Sequence, residues 1–212
     1  MGQTDVSTLK LLGGHVALDF TNTVNSRGFR YGPDVLRRYG GLLDWGVRLK
    51  VLDAVEVAQL RNLPAKRGEA ALDRAKAFRE ALYRLFAAPL SADPADLDLL
   101  QREGRAAQAS RLLVPGDDYY TWRWGAADPD AVTHRVALLA IDLLTSPALG
   151  RVHVCPGENC AWLFLDTSRS GRRLWCSEET CGRRDRIRRW RAARRGRAKD
   201  RSGVPGRPDV LE

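Results

Sequence analysis

The chain carries the stretch CPGENC at residues 155–160 and, after fifteen intervening residues, the stretch CSEETC at residues 176–181. These two stretches contain all the cysteines of the 212-residue sequence, which are Cys155, Cys160, Cys176 and Cys181. Two closely spaced cysteine pairs joined by a short loop are typical of a closed Zn²⁺ site with four thiolate ligands. The alternative, four free or buried cysteines without a metal, does not explain why the other 185 residues contain none. The sequence therefore predicts one structural zinc ion.

The residues around the cysteines predict the fold of this module. Short apolar stretches at 151–154 and 162–165 are typical of strands on either side of the first pair. Ser177 is a suitable N-cap for a helix that would carry Cys181 about one turn after its start. A zinc knuckle, a hairpin and a helix that bears the last two ligands together predict a small treble-clef-like zinc finger with four cysteine ligands over residues 150–197.

The positive charge of the chain is concentrated in one segment. The sequence has 35 Lys+Arg and 26 Asp+Glu, a net charge of +9, and residues 183–201 contain eleven basic and two acidic residues, which is also +9. Arginine donates paired hydrogen bonds to phosphates and to guanine edges, so this segment predicts a helix that contacts nucleic acid, with DNA as the expected partner. The candidate contact residues are Arg183, Arg184, Arg188, Arg191, Arg194 and Arg195.

Other interpretations of the arginine helix are open at this point. Its arginines could be solvated and paired with acidic residues of the N-terminal part, or they could bind an anionic protein or ligand. We expect Ile187 and Trp190, which are three residues apart, to form a narrow apolar stripe that packs on the zinc module.

The N-terminal part, residues 11–149, is predicted to be one mainly helical domain with a β-hairpin, so the whole chain is mainly α with short β-strands (α+β). Residues 1–10 are expected to be loose, 15–20 to form a strand, and 198–212 to form a disordered tail. The predicted helices cover residues 35–49, 54–63, 68–86, 95–109 and about 131–145, and the predicted hairpin covers 111–124.

No catalytic constellation stands out in the N-terminal part. It has no nucleophile–base pair, phosphate-binding glycine loop or paired-carboxylate motif, so we expect the chain not to be an enzyme. Asp19, Asn22 and Thr23 are expected to act as turn and cap groups that satisfy buried backbone. The alternative is a pocket for a small-molecule effector, although aromatic residues at strand spacing more often belong to a core. The candidate pocket residues are Asp19, Asn22, Arg27, Tyr120, Trp122 and Trp124.

The sequence shows neither a signal peptide nor a membrane span. Its longest apolar run, residues 136–141, ends at Asp142, far too early to cross a bilayer. We therefore expect a cytoplasmic protein without membrane contact, whose reducing surroundings favour metal binding over disulfides.

The cysteine segment resembles a known bacterial family. The residues CAWLFLDTS at 160–168, RRLWCS at 172–177 and CGRR at 181–184 are similar to the CGNR zinc finger, and LDFTNT at 18–23 resembles the opening of the ABATE-type domain that precedes that finger. The resemblance implies a stress-induced transcriptional regulator with a zinc-binding, DNA-binding C-terminal part. Arg183 stands where the family has the asparagine of its name. An RNA- or ribosome-associated zinc protein and a zinc-stabilised protein-interaction module are the alternative functions.

Overall fold

Helix α4 is the central element around which the N-terminal helices pack. The computed structural model describes residues 5–28 and 32–202, with the side chains of 196–202 left out of the description. Its helices are α1 (Val16–Thr21), α2 (Tyr39–Arg48), α3 (Ala54–Arg61), α4 (Ala65–Ala87), α5 (Pro94–Ala109), α6 (Ala131–Leu144) and α7 (Arg183–Ser202). Its strands are β1 (Arg111–Pro115), β2 (Tyr120–Trp124), β3 (Val152–Val154) and β4 (Leu163–Leu165). A 3-10 helix covers Pro147–Arg151 and a π-helical turn covers Glu178–Gly182.

The predicted apolar stripe of α4 forms the middle of the core. Phe78, Leu82 and Phe86 are buried on it, and the Phe78 ring lies 6.4 Å from that of Phe20 on α1. Trp45 of α2 completes the aromatic cluster, 5.2 Å from Phe20. Helices α1, α2, α5 and α6 all contact α4, because a one-sided stripe repeated every 3.6 residues can bury several neighbours along its length.

Two helix starts follow from capping residues. The Asp93 side chain accepts a hydrogen bond from the Ala95 N–H at 2.9 Å, and Pro94 occupies the first helical position of α5, as predicted. Asp53 and Glu56 form a reciprocal capping box at the start of α3. The predicted hairpin is also present, since β1 pairs with β2 in antiparallel register and Leu113 lies opposite Trp122.

The predicted strand at residues 15–20 is wrong, because this segment forms α1. The His15 ring Nδ1 accepts a hydrogen bond from the Ala17 N–H at 3.2 Å and caps the helix. All residues from Ala17 to Thr21 are buried, since α4, α6 and β4 surround the helix. A short helix that is buried on every side has no apolar period, so its sequence looks like that of a strand.

Several boundaries also differ from the prediction: α3 ends at Arg61 rather than at residue 63, and α4 begins at Ala65 rather than at residue 68. Helix α2 begins at Tyr39 rather than near residue 35, because residues before it are extended, with the Val35 N–H bonded to the Thr23 carbonyl at 2.9 Å. Val6 and Leu9 are buried, so the first ten residues are not loose throughout. Helix α7 continues to Ser202, so residues 198–202 of the predicted tail are helical, and residues 203–212 lie outside the described part.

The hydrophobic core continues through the predicted domain boundary at 149/150. Leu18 and Phe20 of the N-terminal part belong to the same buried cluster as Trp162, Leu163 and Phe164. The antiparallel β3–β4 pair lies against α1 and α4, which places the cysteine module on the helical core. Within residues 5–28 and 32–202, no helix is both long enough and apolar enough to cross a bilayer.

Candidate metal centre and basic helix

The four cysteine sulfurs converge between the β3–β4 turn and the start of α7. All four Sγ atoms lie within 4.8 Å of one another. The Sγ of Cys176 lies 3.6 Å from that of Cys160 and 3.7 Å from that of Cys181. A tetrahedron with Zn–S bonds of about 2.3 Å has edges of about 3.8 Å. The cluster therefore fits one zinc ion with four thiolate ligands, as the sequence predicted.

The knuckle that carries the first two ligands needs a glycine. The Cys160 N–H donates to the Gly157 carbonyl at 2.9 Å. A Cβ at Gly157 would lie 2.9 Å from the Sγ of Cys181 and 3.2 Å from the Cβ of Cys160. Any side chain at this position would therefore displace two of the ligands.

The electrostatics of the cluster favour a bound cation. A hydrogen bond from the Cys160 thiol lowers the pKa of Cys155 well below that of a free thiol, and the same interaction raises the pKa of Cys160. The Cys176 N–H, 3.4 Å from the Cys155 sulfur, also favours the Cys155 thiolate. The crowded negative charge thus opposes the ionisation of further thiols. A divalent cation removes this opposition, because its positive charge offsets the negative charges of the thiolates that bind it.

The helical side of the site begins as the sequence predicted. The Ser177 side chain accepts a hydrogen bond from the Thr180 N–H at 3.3 Å and caps the π-helical turn. Cys176 precedes this turn and Cys181 lies within it, directly before α7. The free N–H groups of a helix start stabilise nearby thiolates.

Asn22 joins the finger to the N-terminal part at the edge of β4. Its Nδ2 donates to the Leu163 carbonyl at 2.8 Å, and its Oδ1 accepts from the Leu163 N–H at 3.0 Å. Asn22 is 1 % exposed and Leu163 is fully buried, so this side chain completes backbone hydrogen bonds that water cannot reach. We name this pair the Asn22 clamp.

Other hydrogen bonds cross the same boundary. The Trp162 Nε1–H donates to the Val24 carbonyl at 2.6 Å, and the Arg27 N–H donates to the Cys160 carbonyl at 2.9 Å. The Arg27 side chain is bound to Glu80 of α4 at 2.5 Å. A metal ligand is thereby connected through the backbone of Arg27 to the central helix.

Arg173 connects the metal ligands to the segment before α1. Its Nη2 donates to the Leu12 carbonyl at 3.0 Å, and its Nε donates to the Trp175 carbonyl at 3.0 Å. The guanidinium also lies 4.6 Å from the centre of the Phe164 ring. These contacts hold the loop that leads into Cys176.

The arginines of α7 from Arg183 to Arg195, whose side chains the structure describes, are exposed and form two groups. Arg186 pairs with Glu178 at 2.7 Å, Arg188 pairs with Asp185, and Arg189 pairs with Asp185 at 2.6 Å. These acidic partners belong to the finger and not to the N-terminal part, contrary to one of the alternatives above. The second group has no ion pair among the described residues and consists of Arg183, Arg184, Arg191, Arg194 and Arg195.

Helical spacing places four arginines on one face of α7. A spacing of four, three and four residues keeps side chains in one row, because 3.6 residues complete a turn. We call this row the arginine row; it comprises Arg184, Arg188, Arg191 and Arg195. Arg184 and Arg188 also line a cavity of about 250 Å³ beside the knuckle residues Glu158 and Asn159.

The expectation that Ile187 and Trp190 pack on the zinc module is wrong. Ile187 is 39 % exposed and Trp190 is 58 % exposed. The buried residue of the first turns is Asp185, and side chains two and five positions later lie on the opposite half of a helix. Trp190 instead contacts Arg194, whose guanidinium lies 4.8 Å from the centre of its ring.

The six residues of the predicted effector pocket have separate surroundings. The Asp19 carboxylate accepts from the Gly13 N–H at 2.8 Å, and burial raises its pKa to about 6. Asn22 forms the clamp and Arg27 is bound to Glu80, whereas Tyr120 and Trp122 are exposed on β2. Trp124 packs against Arg135 of α6 at 4.2 Å. The effector pocket stays a prediction.

Each of the two parts of the chain matches a known protein family. Residues 14–147 match the ABATE family, described as "Putative stress-induced transcription regulator". The chain belongs to this family. Residues 151–195 match the CGNR zinc finger, the segment that contains the four-cysteine cluster. A search among curated proteins gives no match. Arg183, the departure from the asparagine of the finger's name, lies exposed at the first position of α7.

Sequence reasoning missed two groups around this site. Asn22 was expected to cap local backbone, but its partner lies 141 residues further along the chain. Arg173 lies within the RRLWCS stretch at 172–177, but nothing in its sequence context distinguishes it from the other arginines. The run LDFTNT at 18–23 was the available signal for the first, because a polar Asn-Thr pair next to buried Phe20 must find hydrogen-bond partners.

Proposed function

We propose that this ABATE-family protein is a zinc-dependent DNA-binding transcriptional regulator that acts in the cytoplasm without enzymatic activity. Helix α7 contacts the nucleic acid, and the zinc centre holds α7 in place. The observation that carries the proposal is the arginine row. Four exposed arginines follow one face of a helix that begins directly after a turn containing a metal ligand, Cys181.

The geometry of α7 suits a nucleic-acid groove. The major groove of B-DNA admits an α-helix, and arginine is the side chain most often used to contact both phosphates and guanine. Asp185 and Glu178 hold Arg186, Arg188 and Arg189 in position. An acid that orients an arginine restricts its rotamers, so less side-chain entropy is lost on binding.

The salt dependence of duplex binding tests the role of α7. If the arginine row contacts four phosphates, the slope of log K against log salt is about −3.6, and affinity falls about 150-fold between 50 and 200 mM salt. Changing Arg184, Arg188 and Arg191 to alanine flattens the slope by up to about three units, because three phosphate contacts are lost. The zinc content is unchanged, since these residues are not ligands.

A matched variant distinguishes the specific contribution of α7 from the effect of losing three positive charges elsewhere on the protein. Lys66, Arg67 and Arg102 are exposed on α4 and α5, and their replacement by alanine removes the same charge far along the chain from the finger. The slope of this control stays near that of the native protein. If both triple variants change the slope equally, α7 is not the element that contacts nucleic acid.

The same titration distinguishes the other candidate functions. Binding that favours single strands or RNA over duplex supports an RNA-associated protein. No salt-dependent binding to any nucleic acid supports a protein-interaction module.

A further inference from the structure

The side of helix α7 that carries Ile187 is open to solvent. From Arg183 to Arg195 the helix contains eight arginines and one acidic residue, Asp185, which is buried. Successive residues of an α-helix are about 100° apart around its axis, so Asp185 lies about 160° from Ile187. Ile187 itself is 39 % exposed. The buried acid and the isoleucine therefore mark opposite sides of the helix.

The ion pairs of α7 separate its arginines in the same way. The three arginines that pair with Asp185 or Glu178 lie about 100° or more around the helix from Ile187, and they are Arg186, Arg188 and Arg189. Five others have no ion pair with any residue that the structure describes, and all of them lie within about 80° of Ile187. We call these five the outer arginines; they are Arg183, Arg184, Arg191, Arg194 and Arg195.

Ile187 lies between two lines of outer arginines. Arg183 and Arg194 are about 40° and 20° from it on one side of the helix. Arg191 and Arg184 are about 40° and 60° from it on the other side. An α-helix with its side chains is about 10–12 Å across, close to the width of about 12 Å of the major groove of B-DNA. When the helix lies in this groove, the two lines face the two phosphate walls, and Ile187 faces the base edges.

Trp190 restricts one of the flanking arginines. The Arg194 guanidinium lies 4.8 Å from the centre of the Trp190 ring. A guanidinium held over an aromatic ring has fewer accessible rotamers, so Arg194 loses less side-chain entropy when it contacts a phosphate. Trp190 lies about 60° from Ile187, beyond Arg194, and therefore faces a wall of the groove and not the base edges.

We propose that Ile187 contacts the C5-methyl group of thymine in the major groove, an inference that rests on the DNA-binding function proposed above. This methyl is the apolar group that the base edges present there, and it is contacted by apolar side chains. Isoleucine neither donates nor accepts a hydrogen bond, so it leaves the polar edge of a G·C pair without a partner. Phosphate contacts position the helix, whereas this contact distinguishes A·T from G·C pairs.

The surroundings of Ile187 favour B-form DNA over other partners. A protein partner would have to supply acidic groups for five arginines around one exposed isoleucine, and a specific protein interface buries at least about 1,000 Å². The major groove of an A-form RNA helix is too narrow for side chains to enter, and uracil lacks the C5-methyl group. B-form DNA supplies both the two rows of phosphates and the methyl group.

Two duplexes that differ only in this methyl group test the proposal. The probes are duplexes of about 20 base pairs with alternating d(AT) or alternating d(AU) sequence, so that every binding register offers or withholds the methyl. The zinc-loaded full chain binds the d(AT) duplex at least about fourfold more tightly, because one buried methyl group contributes about that factor. Ile187→Ala binds the two duplexes within about twofold, since its side chain ends at Cβ and does not reach the base edges. The slope of log K against log salt is unchanged, because no phosphate contact is lost.

A matched variant controls for the loss of an exposed aliphatic side chain. Val55 is 69 % exposed on α3, and Val55→Ala retains the native preference for d(AT). Zinc content and circular dichroism of both variants check that the fold is intact. A measurement on the native chain alone does not depend on any variant. Duplexes of alternating d(GC) with cytosine or with 5-methylcytosine carry or lack a methyl in the same groove, and the native chain prefers the methylated duplex at least about threefold.

The salt slope separates the failure of this inference from the failure of the proposed function. A steep slope with equal affinity for d(AT) and d(AU) overturns the thymine contact and leaves DNA binding by α7 in place. A preference for d(AT) that persists in a folded Ile187→Ala overturns the assignment to Ile187, as does a native chain that ignores cytosine methylation. Binding of neither duplex in a salt-dependent way overturns both the inference and the proposed function.

Discussion

Replacing Asn22 by alanine tests whether the finger and the helical part stabilise each other. The change removes both side-chain bonds of the Asn22 clamp and leaves the N–H and the carbonyl of Leu163 buried without partners. An unsatisfied buried polar group costs about 1–3 kcal/mol, so we expect the free energy of unfolding to fall by about 2–5 kcal/mol. This is a large part of the roughly 5–15 kcal/mol of a typical domain.

Urea denaturation of zinc-loaded protein measures this loss, and release of zinc to a colorimetric chelator measures its effect on the metal site. We expect faster zinc release in the variant, because the strand that follows Cys160 has lost its fixed partner. Asn62→Ala is a suitable control, since Asn62 is an exposed residue at the end of α3. If the two variants unfold within about 0.5 kcal/mol of each other, the clamp does not hold the two parts together.

Three further predictions concern the metal and a buried ion cluster. Metal analysis of the native protein gives one zinc per chain, and Cys176→Ser lowers this value and exposes the finger amides to hydrogen exchange, since zinc binding supplies folding free energy in such modules. Gly157→Ala weakens zinc affinity in a competition titration with a chelator, because the new Cβ would lie 2.9 Å from the Cys181 sulfur; an unchanged affinity would show that the knuckle can shift freely. Burial opposes protonation of His134, but Asp128 and Glu103, at 3.4 and 3.5 Å, raise its pKa to about 9. The contribution of protonated His134 to the free energy of unfolding is complete below the unfolded pKa of about 6.5 and is lost as the pH rises through about 9, at up to about 1.4 kcal/mol per pH unit. Urea titrations from about pH 6 to 9 show this decline in the native chain and not in His134→Gln.

The metal centre could be predicted from the sequence because its signal is local. Each cysteine pair lies within six residues, and chelation needs only that the two sulfurs of a pair be near each other. Helix α4 could also be predicted from the sequence, since Phe78, Leu82 and Phe86 repeat at helical spacing on one side of it.

The features that could not be predicted depend on contacts between distant segments. Helix α1 was mistaken for a strand because neighbours on all sides bury it. The Asn22 clamp joins residues that are 141 positions apart, and nothing near either residue specifies the other. Trp190 is exposed because Asp185, on the other half of α7, is the buried residue. The general rule that apolar residues are buried and charged residues are exposed predicts the opposite orientation of the helix.

The core shared by the finger and the helices limits how this chain can be divided or recombined. A fragment that starts near residue 150 would leave behind Asn22 and the carbonyls of Leu12 and Val24, and would expose Trp162, Leu163 and Phe164. A chimera that exchanges only the C-terminal part between relatives would combine β4 of one protein with the N-terminal helices of another. These two surfaces have not evolved to fit each other. The unit of exchange is therefore the finger with the segment from Leu12 to Arg27, although more than a hundred residues separate them along the chain.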